Sequence, residues 1–388
     1  MKRMLLILCL LCMLTTAAMA ESPYAGADTP LTLFAVNVGK GDALLLNCGG
    51  DTYLIDTGKA EHWGELSRAL KVLQVEHLSG VILTHTDKDH AGGAFALATS
   101  SIAVDAWYAP AYFTCKASKH PGVLAAEVRG ENVRYLNAGD ELPLGTGRLR
   151  VIGPLSASEK ENCNSLVLVA EAGGGRMLLT GDMEFSEEEE LLSANVIPAC
   201  DVIKIGNHGE DDATSEALIR AVQPRVAVLS TSTAEEEDTP APRVVSLLKK
   251  YGVTLYQTQE AASGVLVTLD QGELSANRMA YRDLPAQPQG VSILSVDKAD
   301  DRVTLRSASA EEVDLSGWFL FSEKGKEIFV LPEGTVLTPG GTLTITSLSS
   351  GEGGDLIWPE KNVWHKTKDD RAVLCDVYGR EVSAYLAD

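Results

Sequence analysis

The stretch THTDKDHAGG, residues 84–93, sets His85 and His90 around Asp87 and Asp89 in a chain that has only seven histidines. Imidazole nitrogens and carboxylate oxygens at HxDxDH spacing, carried on one short loop, can be turned toward a shared point, and a mixed set of N and O donors suits Zn, Mn or Fe. A polar surface loop is the plain alternative, and two later stretches decide between them. In LLTGD an apolar run ends on Gly181 and Asp182, where a carboxylate at a strand tip could bridge two cations ~3.5–4 Å apart. In VIKIGNHGE a second apolar run ends on His208, with Gly206 and Gly209 close by to let backbone approach tightly. Either stretch alone is an ordinary strand end. Together with the first loop they supply donors for a two-cation site.

Such donors need rigid supports. LTLFAVNV from Leu31, then ALLLNC, then TYLIDTG, with GGD as a turn between the last two, form a β-meander. WGELSRALKVL places Leu66, Leu70 and Leu73 at helical spacing, and the apolar GVILTH after it is a buried strand. The histidine cluster therefore falls in a loop at the end of a strand, where sites are usually built. The alternation continues through strand VDAWYA, a helix over about 122–129, strands LRVIG, SLVLVAEA and RMLLTGD, and an acidic helix over 186–194 whose SEEEE is expected to be a solvated face. Strand DVIKIG, helix SEALIRAV, strand RVAVLS, helix PRVVSLLKKYG and strand GVLVTL complete it. Strands and helices mixed from about residue 31 to 270 predict sheets covered by helices on their outer faces.

At RDLPAQPQG, residues 282–290, the pattern breaks into a linker. Beyond it helical periodicity disappears, and VDLSGWFLFSEKGKEIFVLPEGTVLTPGGTLTITS alternates short strands with Gly and Pro turns, the signature of a small all-β sandwich. The 388 residues exceed one ordinary domain of roughly 100–200. The expected organisation is a leader at 1–20, a mixed α/β domain at 21–281, the linker at 282–290 and a β-sandwich at 291–388.

Residues 1–20 carry Lys2 and Arg3, an apolar stretch from Met4 to Leu14, and AAMA before Glu21, the layout of a cleaved secretory signal peptide. No other segment is long and apolar enough to span a bilayer, so a secreted or cell-surface protein without a transmembrane channel is expected. Beyond the leader, Cys48, Cys115, Cys163, Cys200 and Cys375 make an odd, scattered set with no CxxC, which is no disulfide framework. The formal charge of −21 repels nucleic acid and other anions, so an anionic substrate must be drawn by something local, for which bound cations are the obvious candidate.

Taken in order, VNVGKGDALLL, YLIDTG, ILTHTDKDHAGG, NSLVLV, LLTGD and KIGNHG resemble the metallo-β-lactamase superfamily. Within it they look most like the ComEC-like, competence-associated metallo-hydrolase domain and its soluble secreted relatives. The resemblance covers about residues 31 to 270 and implies an α/β fold, the αββα sandwich with a two-metal site at one edge. Position by position, it implies that His85 and Asp87 hold one divalent ion, that Asp89, His90 and His208 hold the other, and that Asp182 bridges them. Asp87 stands where many members have a second histidine, making an oxygen-rich site that favours Mn beside Zn. Asn164, in CNSL, falls where other members place a further histidine, and is implied as a weak ligand or supporting donor. Asp56, in LIDTG, would orient the ligands from behind. The chain departs from the subgroup at Asn207–His208–Gly209–Glu210, where HHG followed by Ser or Thr is common, and at Lys40, where Gln is common. Losing that histidine at Asn207 removes a substrate contact or proton donor, and Glu210 adds negative charge beside the site.

VTLRSASAEEVDLSGWFLFSEKG, LPEGTVLTPGGTLTI and DRAVLCDVYGREV are similar to the lamin-tail domain, an immunoglobulin-like β-sandwich, which implies a module for a cell-surface or extracellular ligand. Trp318 is expected in its core, as are Trp358 and Trp364, with an exposed aromatic contact as the alternative for the latter two. His62, His77, His120 and His365 have no partner pattern.

The implied activity is hydrolysis at two divalent metal ions, with Asp89 and Asp182 nearest the chemistry and a phosphodiester in DNA or RNA as the bond cleaved. A non-nucleic-acid ester is the alternative substrate, and a catalytically weak surface protein acting through its C-terminal module is the alternative class. A basic groove bearing Lys40, Lys59, Lys88 and Lys204 would favour nucleic acid.

Overall fold

The computed structural model describes residues 30–351 and 353–387; the signal peptide expected at 1–20 lies outside the described residues. Two sheets lie face to face in the first part of the chain. One runs in the order Glu273–Met279, Gly264–Asp270, Leu31–Val36, Leu44–Cys48, Asp51–Ile55, Gly80–Ile82, Trp107–Pro110, Arg134–Leu136. The other runs Thr254–Gln257, Val226–Leu229, Val202–Lys204, Gly175–Leu179, Val167–Ala172, Gly147–Gly153, Glu141–Leu144.

Period-two alternation builds the layers. Leu31, Leu33 and Ala35 enter the cluster shared with Leu168, Leu179, Val202 and Val228 of the opposite sheet. Phe34 and Val36, one residue out of phase, pack instead against the helices Trp63–Val72 and Ala94–Thr99. Successive strand side chains project to opposite faces, so an unbroken apolar run such as LTLFAV serves two cores at once. On the far side Val167, Leu178, Ile203 and Ala227 meet Leu191, Leu218 and Leu248 of the helices Phe185–Ser193, Glu216–Val222 and Pro242–Lys250. The result is the αββα sandwich, and each fully buried leucine in it contributes roughly 1.5–3 kcal/mol.

The opening meander is antiparallel, but Asp51–Ile55, Gly80–Ile82 and Trp107–Pro110 run parallel, as do Gly175–Leu179, Val202–Lys204 and Val226–Leu229. The loops holding Asp56, His85 to His90, Asp182 and His208 all leave the carboxyl ends of these parallel strands. In open α/β sheets that is where ligand sites form.

Residues 280–290 form no regular element, and the remaining chain is all β. One four-stranded sheet has the order Val291–Asp297, Arg302–Ser307, Thr342–Ser347, Leu356–Trp358; the other has Ile328–Val330, Phe319–Ser322, Asp370–Cys375, Glu381–Ala387. Trp318, Trp358 and Trp364 are buried between them with Leu320, Phe329 and Leu374. Trp358 stacks on Phe329 and meets Trp364 edge-on, so neither is an exposed contact. Phe319, Ile328 and Val330 pack into the same cluster as Leu66 and Leu70. Beside them Ser67 Oγ donates to Val377 O at 3.0 Å and Arg68 Nε to Tyr378 O at 2.6 Å. None of the five described cysteines is in a disulfide.

The acidic helix departs from the expectation of a solvated face. Glu187 and Glu188 are 3% and 1% exposed, because the helix turns this side toward the sheet strand Gly147–Gly153 and toward Ser215. Glu188 accepts the Ser215 amide at 2.7 Å, whereas both Glu187 carboxyl oxygens lack a partner. Burial, reinforced by Cys163, Glu190, Glu184 and Glu188, pushes the Glu187 carboxyl well above its ordinary value. The folded state thus keeps a proton that the unfolded chain releases above about pH 4.3. Stability is lost as pH rises from there toward the raised value. Glu187→Gln is expected to stabilise by about 1–3 kcal/mol near neutral pH and to change nothing near pH 4. Thermal melts of both proteins across that range check it, and an equal gain at both ends would refute it.

Candidate metal centre

His85, in the loop after Gly80–Ile82, is fully buried. Its Nδ1 faces Thr84 Oγ1 at 3.0 Å and Ser165 Oγ at 3.4 Å. Nε2 has no hydrogen-bond partner and lies 3.8 Å from Asp87 Oδ2 and 3.9 Å from Asp182 Oδ2. Burial and the neighbouring His90 push this imidazole down to about 3, so it is neutral and offers a lone pair. The next turn, Lys88–Ala91, carries Asp89 and His90. His90 Nδ1 meets Asp56 Oδ2 at 2.7 Å, and Asp56 also accepts from the Thr84 amide and hydroxyl, each at 2.7 Å. Asp56 sits in left-handed backbone at φ 60°, which turns its carboxylate under the loop.

His90 Nε2 then points at Asp182 Oδ2, 3.0 Å away, and at His208 Nε2, 3.1 Å away. His208 Nδ1 lies 2.9 Å from Ser230 O, so it donates there and its Nε2 also faces inward, 3.3 Å from Asp182 Oδ2 and 3.4 Å from Asp89 Oδ2. Asp89, His90, Asp182 and His208 each place a ligand atom within 4.8 Å of the others. His85 and Asp87 stand beside this group, Asp87 half-exposed at its mouth.

The donor chemistry fits a cation. Two imidazole nitrogens 3.1 Å apart, whose far sides are tied to Asp56 and to Ser230 O, both face the Asp182 carboxylate, the arrangement that orients metal-ligating histidines. Burial opposes a charge on His208, but Asp182 and Asp89 raise it to about 9. Asp182 and Asp56 likewise hold His90 well above its ordinary value against burial. Burial also opposes ionisation of Asp182, yet His208 and His90 keep it well below the carboxylate range.

Three supporting residues went unrecognised in the sequence. Ser165 Oγ faces His85 Nδ1 and accepts the Asp182 amide at 3.1 Å. Glu161 takes the Thr86 amide at 3.0 Å and the Thr114 amide at 2.7 Å, clamping the metal loop to the loop at 114. Asp42, fully buried, pairs with the equally buried Lys204 and lies 3.8 Å from His90 Nδ1. The available signals were a Ser beside Asn164 and a Lys inside the apolar strand VIKIG.

Other expected residues are placed differently. Asn164 accepts the Ser158 amide and donates to Ser158 O and Lys160 O; it braces that turn instead of joining the ligands. Asn207, at φ 43°, donates to Asp212 and shapes the His208 loop. Lys204 cannot line a groove, since its Nζ is sealed against Asp42, Gly181 O and Asp182. Lys40 and Lys59 are ion-paired with Glu210, Glu235 and Glu236. Lys88 is exposed, with no ion pair among the described residues.

Residues 36–233, half of the chain, match the family model described as the metallo-beta-lactamase superfamily, and residues 285–387 match that of the lamin tail domain. ComE operon protein 3 of Bacillus subtilis is 30% identical over 246 residues, 58% of this chain and 31% of that protein. Recombination protein 2 of Haemophilus influenzae is 30% identical over 237 residues, 59% of this chain and 27% of that one. The chain thus spans less than a third of the length of these two relatives. Among solved structures, the metallo-beta-lactamase fold protein YhfI of Bacillus subtilis aligns with a TM-score of 0.42 and 12% identity, over 59% of this chain and 96% of that one.

Proposed function

We propose that this chain, which belongs to the metallo-beta-lactamase superfamily, is a two-metal phosphodiesterase that cleaves nucleic acid outside the cytoplasm. The observation that carries it is the convergence of His90 Nε2, His208 Nε2 and Asp182 Oδ2 within 3.3 Å, with the unpartnered His85 Nε2 3.9 Å from the same Asp182 oxygen. Asp89, His90 and His208 would hold one divalent ion, Zn or Mn, His85 and Asp87 the second, and Asp182 both. Such ions supply Lewis-acid polarisation of the phosphoryl group and a water acidic enough to ionise near neutral pH.

The chain's own groups do the rest. Asp56 and Ser230 O fix the tautomers of His90 and His208, so that both present lone pairs. Asp89, only partly buried, is the carboxylate placed to orient the attacking water from the solvent side. Asp87, half-exposed beside His85, would reach the second ion from the solvent side. Nucleic acid is favoured because two relatives are named Recombination protein 2 and Competence protein ComA; the leader-like residues 1–20 and the lamin-tail domain support export. The ion-paired Lys40 and Lys59 favour a less charged ester as the competing substrate.

Purified protein is expected to cleave single-stranded DNA, duplex DNA or RNA with added Mn²⁺ or Zn²⁺, and to stop with chelator and in His85→Ala. Two bound ions per chain without cleavage of any polynucleotide would move the substrate to a smaller ester. Absence of bound metal would overturn the proposal.

A further inference from the structure

The segment that runs from Ser230 to Ala241 is mounted on the His208 loop at both ends: Ser230 O accepts from His208 Nδ1, and the Ala241 amide donates to Gly209 O at 2.8 Å. Between these anchors it carries Glu235 and Glu236. Glu235 contacts Lys59 Nζ, His62 Nε2 at 3.2 Å and the Lys40 amide at 3.2 Å. Glu236 contacts Lys40 Nζ, which also reaches Glu210 at 2.5 Å. Lys40 itself adjoins the metal loop, because the Asp42 amide donates to Asp89 O at 3.1 Å and a side chain at Gly41 would strike that same oxygen. Lys40, Lys59 and His62 are therefore all turned toward the chain's own carboxylates.

We propose that Lys40, Lys59 and His62 form a binding site for backbone phosphates flanking the scissile bond, and that Glu235 and Glu236 fill it as a built-in phosphate mimic until a polynucleotide displaces them. This rests on the phosphodiester substrate proposed above. Carboxylate and phosphate oxygens accept the same ammonium hydrogen bonds, so exchange keeps every donor satisfied. Partly exposed ion pairs are individually weak, which leaves the glutamates displaceable, while counterion release favours the incoming polyanion. Because the segment is tethered, its carboxylates compete at high effective concentration and lower the apparent affinity of the site. The arrangement gives a strongly acidic chain a local, gated place for an anion.

The test is equilibrium binding of a labelled phosphorothioate oligodeoxynucleotide of about a dozen residues, chosen because it resists hydrolysis, to the metal-loaded protein across a salt series. The Glu235→Gln/Glu236→Gln variant is expected to bind roughly tenfold tighter, with a log–log salt slope steeper by about 0.7 for the freed Lys59, since Lys40 keeps Glu210. Glu311→Gln/Glu312→Gln, which removes the same charge from exposed positions in the lamin-tail domain, is expected to gain less than about twofold. In a Lys40→Ala/Lys59→Ala/His62→Ala background the Glu235 and Glu236 changes are expected to gain no more than that control. Equal gains in the two glutamine pairs, or none in the first, would overturn the proposal. Polynucleotide turnover by the unaltered protein is scored separately: its absence alongside the binding response sinks the phosphodiesterase but keeps the anion site, and its presence without the response does the reverse.

Discussion

Asp182→Asn is expected to lower metal-dependent turnover by roughly 10³-fold, the scale of losing a principal electrostatic group at a reacting centre, while the protein still folds. Among the described residues no other carboxylate is within 4 Å of all three imidazoles: Oδ2 lies 3.0 Å from His90 Nε2, 3.3 Å from His208 Nε2 and 3.9 Å from His85 Nε2. The side chain is almost fully buried, so solvent cannot replace it as a ligand. Asparagine keeps the shape but removes one negative charge and can turn an N–H₂ toward a cation. Metal affinity is expected to fall by more than the about 10–100-fold typical of losing an outer supporting partner. The fold is spared because the Asp182 amide remains bound to Ser165 Oγ and Lys204 retains Asp42. Metal content by elemental analysis, turnover and thermal melting on one preparation decide it. Undiminished turnover with full metal content would remove Asp182 from the centre.

Lys204→Met is expected to destabilise the fold by about 3–5 kcal/mol, the range for removing one partner of a buried ion pair. Lys204 is fully buried in the strand Val202–Lys204, its ammonium against the equally buried Asp42, 3.1 Å from Gly181 O and 3.8 Å from Asp182 Oδ1. Methionine fills most of the volume yet leaves the Asp42 carboxylate charged, buried and unpaired. Lys204→Met/Asp42→Asn is expected to recover most of the loss, since removing both charges also removes the uncompensated one. Denaturant unfolding of the four proteins of the cycle measures the coupling. Additive losses would show that the pair does not stabilise as a unit. The pair also ties the meander to the opposite sheet beneath the metal loop, so turnover in the double variant reports whether position, beyond stability, depends on it.

Both predictions concern groups that differ sharply in how visible they were along the chain. His85, Asp87, Asp89, His90, Asp182 and His208 stand at the ends of apolar runs, where a polar residue has no packing role and its chemistry shows through. The alternating and continuous apolar segments likewise determine two helix-covered sheets followed by an all-β unit, because strand and helix periods are local properties.

What local pattern does not carry is which distant residue answers a buried polar group. Lys204 looked available to a substrate until the fold set Asp42 over it, 162 positions away in the turn before a strand of the other sheet. Glu187 and Glu188 belong to a run that charge alone assigns to solvent, and only the packing of the helix on its sheet buries them. Asn164 and Ser165 are neighbours in sequence, but the strand that begins at Val167 turns Ser165 toward His85 and Asp182 and leaves Asn164 to brace its own turn. The chain by itself thus determined the layers of the fold and the kinds of donor at the strand ends. Only the tertiary structure decided which carboxylates are paired, which lysines are free and which carboxylate stands between the histidines, because those are contacts between strand ends brought together by two sheets closing on one core.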